Sequence, residues 1–342
     1  MTRLALVGCG AISETSYAPA IRALPDVEVV GLYDPVDARV AALQARLPGA
    51  KRLTSVAQAA ELGAEAAIVA SPSAYHAEQT VEALRAGMHV LVEKPIAGTV
   101  ADGERMAAAA AETGRILAVG LFRRFFPAVQ AVREALESGA FGRPVRYTIA
   151  EGGPFNWPAA SPTFFQKKHA FGGVLHDLGV HVLDLVAYWF GDPEVVRYED
   201  DADGGLETNC LVETSHDGGL AGEVRLSRDW ATANRYHIEC ERGWIGWRGG
   251  AANELEFGFR PGSTAMRAQV GPVADHWGQP AAAEPGLTYA QSFTAQLDEF
   301  VRAVRGEAPV RVPAEEGLRS LRVIEACYRR REAGTGKREV GA

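Results

Sequence analysis

A carboxylate and an imidazole stand four residues apart in the segment Val174–Tyr188, whose composition predicts a helix. Helical residues spaced by four share a face, so Asp177 and His181 are expected to lie side by side. An imidazole titrates near neutral pH and can take a hydroxyl proton while hydride leaves the same carbon. The carboxylate can orient the imidazole and stabilise its charged form. The spacing therefore indicates acid–base chemistry on an alcohol or ketone.

Two other interpretations of this pair stay open from the residues alone. Asp and His at this spacing can ligate zinc, but neither a third ligand nor a cysteine cluster is evident, so no metal is expected. An ordinary ion pair on the face of a helix is the other interpretation.

Lys94 is one of only five lysines among the 35 basic residues, and it follows an apolar stretch in the run Glu93-Lys94-Pro95. Because arginine supplies nearly every other positive charge, a compact ammonium is indicated at this position. It could donate a hydrogen bond to a substrate hydroxyl or carbonyl and stabilise developing alkoxide charge. A solvated surface lysine is the alternative.

A glycine-rich loop at residues 8–13 (GCGAIS) follows the first predicted strand and opens a helix. This context is typical of dinucleotide binding, in which Gly8 would permit the tight turn and Gly10 would let the backbone approach a pyrophosphate. The free N–H groups of the helix start, beginning with Ala11 and Ile12, would then donate to phosphate oxygens.

Asp34 ends the second predicted strand, where a carboxylate can accept hydrogen bonds from both hydroxyls of an adenosine ribose. The same charge repels a 2′-phosphate, so NAD is predicted over NADP. Arg39 is a counter-signal, because it lies close enough to stack on adenine or to meet a phosphate. A helix N-cap is the structural alternative for Asp34.

Polar side chains also follow the next two strands of the predicted sheet. Open α/β sheets bind ligands at the carboxyl ends of their strands. The residues at these ends, predicted to contact the cofactor, are Ser71, Pro72, His76, Glu93 and Lys94.

Short apolar runs alternate with Ala- and Leu-rich helical stretches in the first third of the chain, which predicts a parallel sheet with crossover helices. The predicted strands are Leu4–Val7, Val27–Tyr33, Ala66–Ala70, Val90–Val92 and Ile116–Val119. From Pro144 to Arg260 the segments alternate instead, which predicts a mostly antiparallel sheet. We therefore predict an α/β fold with a Rossmann domain at 1–122 and an α+β domain at 123–342 with a large open sheet.

Composition excludes several classes of protein. The 342 residues are 47% hydrophobic and carry a net charge of -8, which argues against an electrostatic nucleic-acid binder. No uninterrupted apolar run is long enough to predict a membrane span. Four widely spaced cysteines without a C-x-x-C pair favour a reducing cytoplasm.

Together these segments resemble the glucose–fructose oxidoreductase / inositol dehydrogenase / rhizopine-catabolism family of NAD(P)-dependent oxidoreductases. The resemblance rests on the glycine loop, the Glu-Lys-Pro run and the helix pattern Gly-Gly-x-x-x-Asp-x-x-x-His-x-x-Asp-Leu from residue 172. It implies a catalytic set in which His181 is the acid or base. Asp177 would be its partner or a ligand of a substrate hydroxyl, and Lys94 would bridge substrate and cofactor.

The resemblance further implies hydride transfer between NAD and a secondary alcohol or ketone of a sugar, cyclitol or related polyol. Arg123, Trp157 and His169, together with the catalytic set, are the expected substrate contacts, and the family's sheet packing implies a homodimer or homotetramer. Two alternatives keep the same residues. One is an NAD-dependent glycoside hydrolase with transient oxidation, and the other is a non-catalytic NAD-binding sensor.

Overall fold

The computed structural model describes residues 1–156, 158, 166–262, 264–271 and 289–332. The described residues group into two compact units. Unit 1 takes its residues from Met1–Leu121, Trp157–Phe171 and Phe293–Arg322, and unit 2 from Phe122–Asn156, Gly172–Ser292 and Val323–Ala342. The domain boundary at residue 122 stays a prediction, and two later segments group with the N-terminal residues.

Unit 1 contains a six-stranded parallel sheet, which confirms the predicted Rossmann architecture. Its strand order is β3-β2-β1-β4-β5-β6. Residues 4–7 of β1, 66–69 of β4 and 90–92 of β5 are all apolar and buried, because both faces of the sheet are covered. The strands are β1 (Thr2–Val7), β2 (Val27–Tyr33), β3 (Lys51–Arg52), β4 (Ala66–Val69), β5 (His89–Glu93) and β6 (Leu117–Gly120).

Unit 2 contains an eight-stranded sheet in the order β14-β13-β12-β11-β7-β10-β9-β8. Every pairing is antiparallel except β10 with β7, which is parallel, so the predicted mostly antiparallel sheet is confirmed. The strands are β7 (Pro144–Gly152), β8 (Glu194–Asp200), β9 (Asn209–Ser215), β10 (Ala221–Ser227), β11 (Arg235–Cys240), β12 (Gly243–Arg248), β13 (Glu254–Phe259) and β14 (Met266–Gln269). The Gly, Pro and Ala content of Arg260–Pro285 predicts a loop, and this prediction was wrong for Met266–Gln269, which form β14.

Helices connect the strands in both units, and two of them begin with a π-helical turn. These turns are Ser13–Tyr17 and Leu175–Gly179. In chain order the α-helices are α1 (Ala18–Arg22), α2 (Asp37–Gln44), α3 (Gln58–Glu61), α4 (His76–Arg85), α5 (Val100–Thr113), α6 (Pro127–Glu137), α7 (Lys167–Ala170), α8 (Val180–Phe190), α9 (Tyr289–Val304) and α10 (Ala314–Glu332). None of the described helices is long and apolar enough to cross a membrane.

Helix α8 is fixed in unit 2 by a buried ion pair. Arg124 donates from Nε and Nη2 to Asp184 at 2.6 to 3.1 Å, and both side chains are only 1% exposed. On the neighbouring turn of α8, Trp189 Nε1 donates to the carbonyl of Val129 in α6 at 3.1 Å. Asp184, the second aspartate of the helix pattern noted in the sequence, therefore has a structural partner.

Candidate active site

The glycine loop after β1 has the geometry that a dinucleotide requires. Gly8 has φ of +92°, and a Cβ at this position would lie 2.5 Å from the backbone nitrogen of Ser71. A Cβ at Gly10 would meet no atom within 4 Å. Ser13 stabilises the turn by donating from Oγ to the carbonyl of Gly8 at 2.5 Å. Gly8 is thus required by the fold, whereas Gly10 leaves a half-exposed space that suits a pyrophosphate, with Ala11 and Ile12 half-exposed beside it.

Alanine at Gly10 and at Gly8 is expected to act on different properties. Gly10→Ala should keep the thermal midpoint and weaken NAD binding by about tenfold or more, since the new methyl would enter the space predicted for the pyrophosphate. Gly8→Ala should lower the thermal midpoint as well, because it combines a left-handed backbone with a backbone collision. Calorimetric titration with NAD and a melting curve measure the two effects. Equal NAD affinity for Gly10→Ala and wild type would contradict the assignment.

Asp34 is held by backbone donors at the end of β2. Its Oδ2 accepts the N–H of Cys9 at 2.9 Å, and its Oδ1 accepts the N–H of Val36 at 2.9 Å. The Arg39 guanidinium lies 3.8 Å from Oδ1. The interpretation of Asp34 as a helix N-cap was wrong, because the N-cap residue of α2 is Val36. The Asp34 carboxylate closes a turn through the N–H of Val36 instead. This role is compatible with ribose binding, because each carboxylate oxygen accepts two hydrogen bonds.

His76 connects two loops that carry predicted cofactor residues. Its Nε2 lies 2.7 Å from the carbonyl of Ser71, and its Nδ1 lies 3.0 Å from the carbonyl of Pro95. The ring is 1% exposed, and burial lowers the pKa of His76. Within this network His76 supports the loops, while Ser71 is half-buried and Pro72 is exposed.

Glu93 is buried beneath the loop that bears Lys94. It accepts a hydrogen bond from the hydroxyl of Tyr17 at 2.7 Å and one from the backbone N–H of Lys94 at 3.1 Å. Burial raises the pKa of Glu93 despite these donors. Gln296 in α9 donates to the Tyr17 hydroxyl at 3.3 Å. Glu93 therefore links the loop to the first helix of the fold, and Lys94 itself is half-buried.

In unit 2, Asp177 lies in the π-helical turn and His181 lies in the first turn of α8. Asp177 forms an ion pair with Arg228, which follows β10, and each side chain is 25% exposed. His181 is mostly buried, with its ring centroid 5.3 Å from that of Phe122 in an edge-to-face contact. Sequence reasoning missed Arg228, because nothing local connects it with a residue 51 positions earlier.

Arg123, a predicted substrate contact, is engaged in a buried network. Its guanidinium donates to both carboxylate oxygens of Glu151, at 2.6 and 2.9 Å, and to the hydroxyl of Tyr236 at 3.2 Å. Burial alone would raise the pKa of Glu151, but the charge of Arg123 and its hydrogen bonds hold it below the usual value. Glu151 therefore stays ionised beside a permanent cation.

The two other predicted substrate residues lie in the segment before the π-helical turn. The His169 ring stacks on Tyr75 in unit 1, with ring centroids 6.3 Å apart. Trp157 lies outside the described residues. No group of three His, Cys, Asp or Glu side chains suited to a metal ion occurs in the described part of the chain.

Three family models match successive parts of the sequence. Residues 2–121 match the oxidoreductase family with NAD-binding Rossmann fold, and residues 129–246 match the GFO/IDH/MocA C-terminal domain. Residues 281–340 match the oxidoreductase family C-terminal alpha/beta domain.

Curated proteins and solved structures agree with these models. The chain is 27% identical to the scyllo-inositol 2-dehydrogenase (NADP(+)) IolW of Bacillus subtilis, over 81% of this chain and 78% of that protein. It is 26% identical to the D-glucoside 3-dehydrogenase of Escherichia coli, over 97% and 96%. The WlbA dehydrogenase from Bordetella pertussis, solved with NADH and UDP-GlcNAcA, superposes with a TM-score of 0.82 at 25% identity, covering 98% of this chain and 96% of that one. The chain belongs to the GFO/IDH/MocA family of NAD(P)-dependent dehydrogenases.

Proposed function

We propose that this enzyme transfers hydride between NAD and a secondary alcohol or ketone carbon of a sugar, cyclitol or related polyol. One observation carries the proposal. Asp177 and His181 lie on two consecutive helical elements, and the Asp177 carboxylate forms an ion pair with Arg228. This arrangement provides an oriented carboxylate and a proton acceptor on one continuous helical segment.

In the proposed mechanism His181 takes the proton of the substrate hydroxyl during oxidation and returns it during reduction. Arg228 forms an ion pair with Asp177, and this carboxylate accepts a neighbouring substrate hydroxyl or stabilises the charged imidazole. Lys94 donates to the reacting oxygen and stabilises its developing negative charge. The nicotinamide, when bound, supplies or accepts the hydride.

The proposed cofactor contacts are those of the loops after β1, β2, β4 and β5. Gly10, Ala11 and Ile12 would hold the pyrophosphate, while Asp34 would accept the ribose hydroxyls and Arg39 would lie against adenine. We propose NAD over NADP, because the Asp34 carboxylate is fixed by two backbone donors and its negative charge would repel a 2′-phosphate. The relatives differ in this respect, since the protein from Bacillus subtilis is named for NADP(+) and WlbA was solved with NADH.

The names of the relatives favour a polyhydroxylated ring as substrate. One is named for scyllo-inositol and another for D-glucosides. Arg123, Trp157 and His169 stay proposed substrate contacts beside the catalytic set. The hydrolase and the sensor gain no support from these relatives, which are named as dehydrogenases.

A panel of cyclitols, aldoses and nucleotide sugars, assayed by NADH absorbance with NAD and separately with NADP, tests this function. We expect net NADH formation with at least one cyclitol or sugar, and a higher kcat/KM with NAD. A clear preference for NADP would contradict the role of Asp34. Glycoside cleavage without net NADH would contradict the dehydrogenase itself.

We also propose a homo-oligomer formed through the outer face of the unit 2 sheet, in a reducing cytoplasm. That face carries paired charges, among them Arg197 with Glu213 and Arg235 with Glu256. All four cysteines are free and buried. Sedimentation of the intact protein measures the oligomeric state.

A further inference from the structure

A single glutamate in the loop between β8 and β9 caps the segment that carries Asp177 and His181. Glu207 Oε1 accepts the backbone N–H groups of Gly173 at 2.8 Å and Leu175 at 3.2 Å. The carbonyl of Glu207 accepts the intervening N–H of Val174 at 2.9 Å. Three successive donors at the start of the π-helical turn therefore end on one residue.

The segment itself has no capping side chain. Val174 precedes the π-helical turn and makes no side-chain cap hydrogen bond, and two glycines come before it. A helix start leaves its first N–H groups without intrahelical acceptors, so an outside acceptor is needed when the start is buried. Glu207, only 2% exposed, supplies that acceptor from more than 30 residues away.

The two glycines before Val174 permit this contact because they have no side chain. A Cβ at Gly173 would lie 1.9 Å from the carbonyl oxygen of Glu207, and a Cβ at Gly172 would lie 1.9 Å from the hydroxyl of Tyr328. Glycine is thus required at both positions so that the loop and α10 can approach the start of the segment. The two glycines of the helix pattern therefore allow Glu207 and Tyr328 to contact the start of the segment that carries Asp177 and His181.

Glu207 is itself held from α10. Tyr328 donates to Oε1 at 2.7 Å, and Arg331 lies 3.9 Å from Oε2 while it pairs with Asp200 at 2.9 Å. The Arg331 guanidinium also stacks over the Tyr328 ring at 4.7 Å. The acceptor is therefore fixed on both oxygens by side chains from one helix.

We propose that Glu207 is a positioning residue of the reaction, which sets the orientation of Asp177 and His181 by anchoring the first turn of their segment. Asp177 lies directly on that turn, since its N–H donates to the carbonyl of Gly173 at 3.0 Å. This inference rests on the proposed function for its catalytic meaning. The hydrogen bonds of Glu207 are independent of that function.

The test compares Glu207→Gln and Tyr328→Phe with Glu199→Gln. Glutamine keeps the size and one acceptor oxygen but loses the charge, and Glu199 is a buried carboxylate of the same sheet whose partner is Arg197. Glu207→Gln should raise amide hydrogen exchange of residues 172–181 by about tenfold and lower kcat by about tenfold, with the KM for NAD within about twofold. Tyr328→Phe should give smaller changes of the same sign, and Glu199→Gln none in this segment.

Faster exchange with an unchanged kcat would overturn the proposal, because Glu207 would then be a structural cap only. Unchanged exchange in both Glu207→Gln and Tyr328→Phe would overturn it as well. If the wild type oxidises no polyol at all, the proposed function fails. In that case the exchange rates and the His181 imidazole resonances still decide whether Glu207 sets the geometry of this segment.

Discussion

Replacement of His181 by alanine is expected to lower kcat for polyol oxidation by a factor of about 10² to 10⁴. The reason is the loss of the group that we propose takes the hydroxyl proton, while Asp177 and Lys94 are unchanged. NAD binding should be retained, because the residues proposed for it lie on the loops of unit 1. Steady-state kinetics with a substrate from the panel, together with calorimetric titration of NAD, measure both quantities.

His237 provides the matched control for this substitution. It is a half-buried histidine of the same unit, on β11, and its Nε2 lies 4.0 Å from the carboxylate of Glu239. His237→Ala should leave kcat within about twofold of wild type. A rate for His181→Ala within about a factor of ten of wild type would show that the general base lies elsewhere.

Asp184→Asn is expected to lower the free energy of unfolding by about 3 to 5 kcal/mol, because it removes the negative charge of Asp184 from the buried guanidinium of Arg124. The guanidinium makes three hydrogen bonds of 3.1 Å or less to this carboxylate. Urea unfolding followed by tryptophan fluorescence reports on this change, since Trp189 and Trp247 lie in the same unit.

Two further variants show how much of the expected loss of stability comes from a buried charge that has lost Asp184 as its partner. Glu137→Gln breaks an exposed pair with Arg133 at 2.7 Å, and the expected cost is about 0.5 kcal/mol or less. The double substitution of Arg124 by Met and Asp184 by Leu should recover most of the stability lost in Asp184→Asn, since no unpaired charge remains. A loss below about 1 kcal/mol for Asp184→Asn would contradict the assignment of a costly buried pair.

The sequence predicted the first sheet well, because strands covered on both faces are continuously apolar. Gly87 and Gly114, each between a helical stretch and the next apolar run, predict two helix ends, and their φ values of 88° and 63° agree with this. The sequence did not predict β3, since Lys51 and Arg52 form a charged edge strand of two residues without any apolar signal. A strand of two residues at the edge of a sheet has neither an apolar run nor an alternation of apolar and polar residues, and strand prediction depends on these patterns.

The sequence predicted those candidate site residues that belong to a recognisable motif. It did not predict the side chains that pair with them, because each partner lies far away in the sequence. The prediction of one continuous helix for Val174–Tyr188 missed the π-helical turn, which has no distinct composition. Glu151 could have been found, since it shares an inward face with Tyr147 and Ile149, and a carboxylate on an apolar face requires a buried partner.

Two later segments of the chain group with the N-terminal sheet, so unit 1 can complete its folding only after these segments have been synthesised. Gln296 donates to a hydroxyl 279 residues earlier, and Arg305 donates to the side chain of Thr2 at 2.9 Å and to the carbonyl of Asp26. Such long-range contacts form slowly, because bringing their ends together reduces the conformational entropy of the whole intervening chain. During synthesis these contacts cannot form until residues 293–322 have left the ribosome, and we expect chaperone binding to the N-terminal part of unit 1 in this interval.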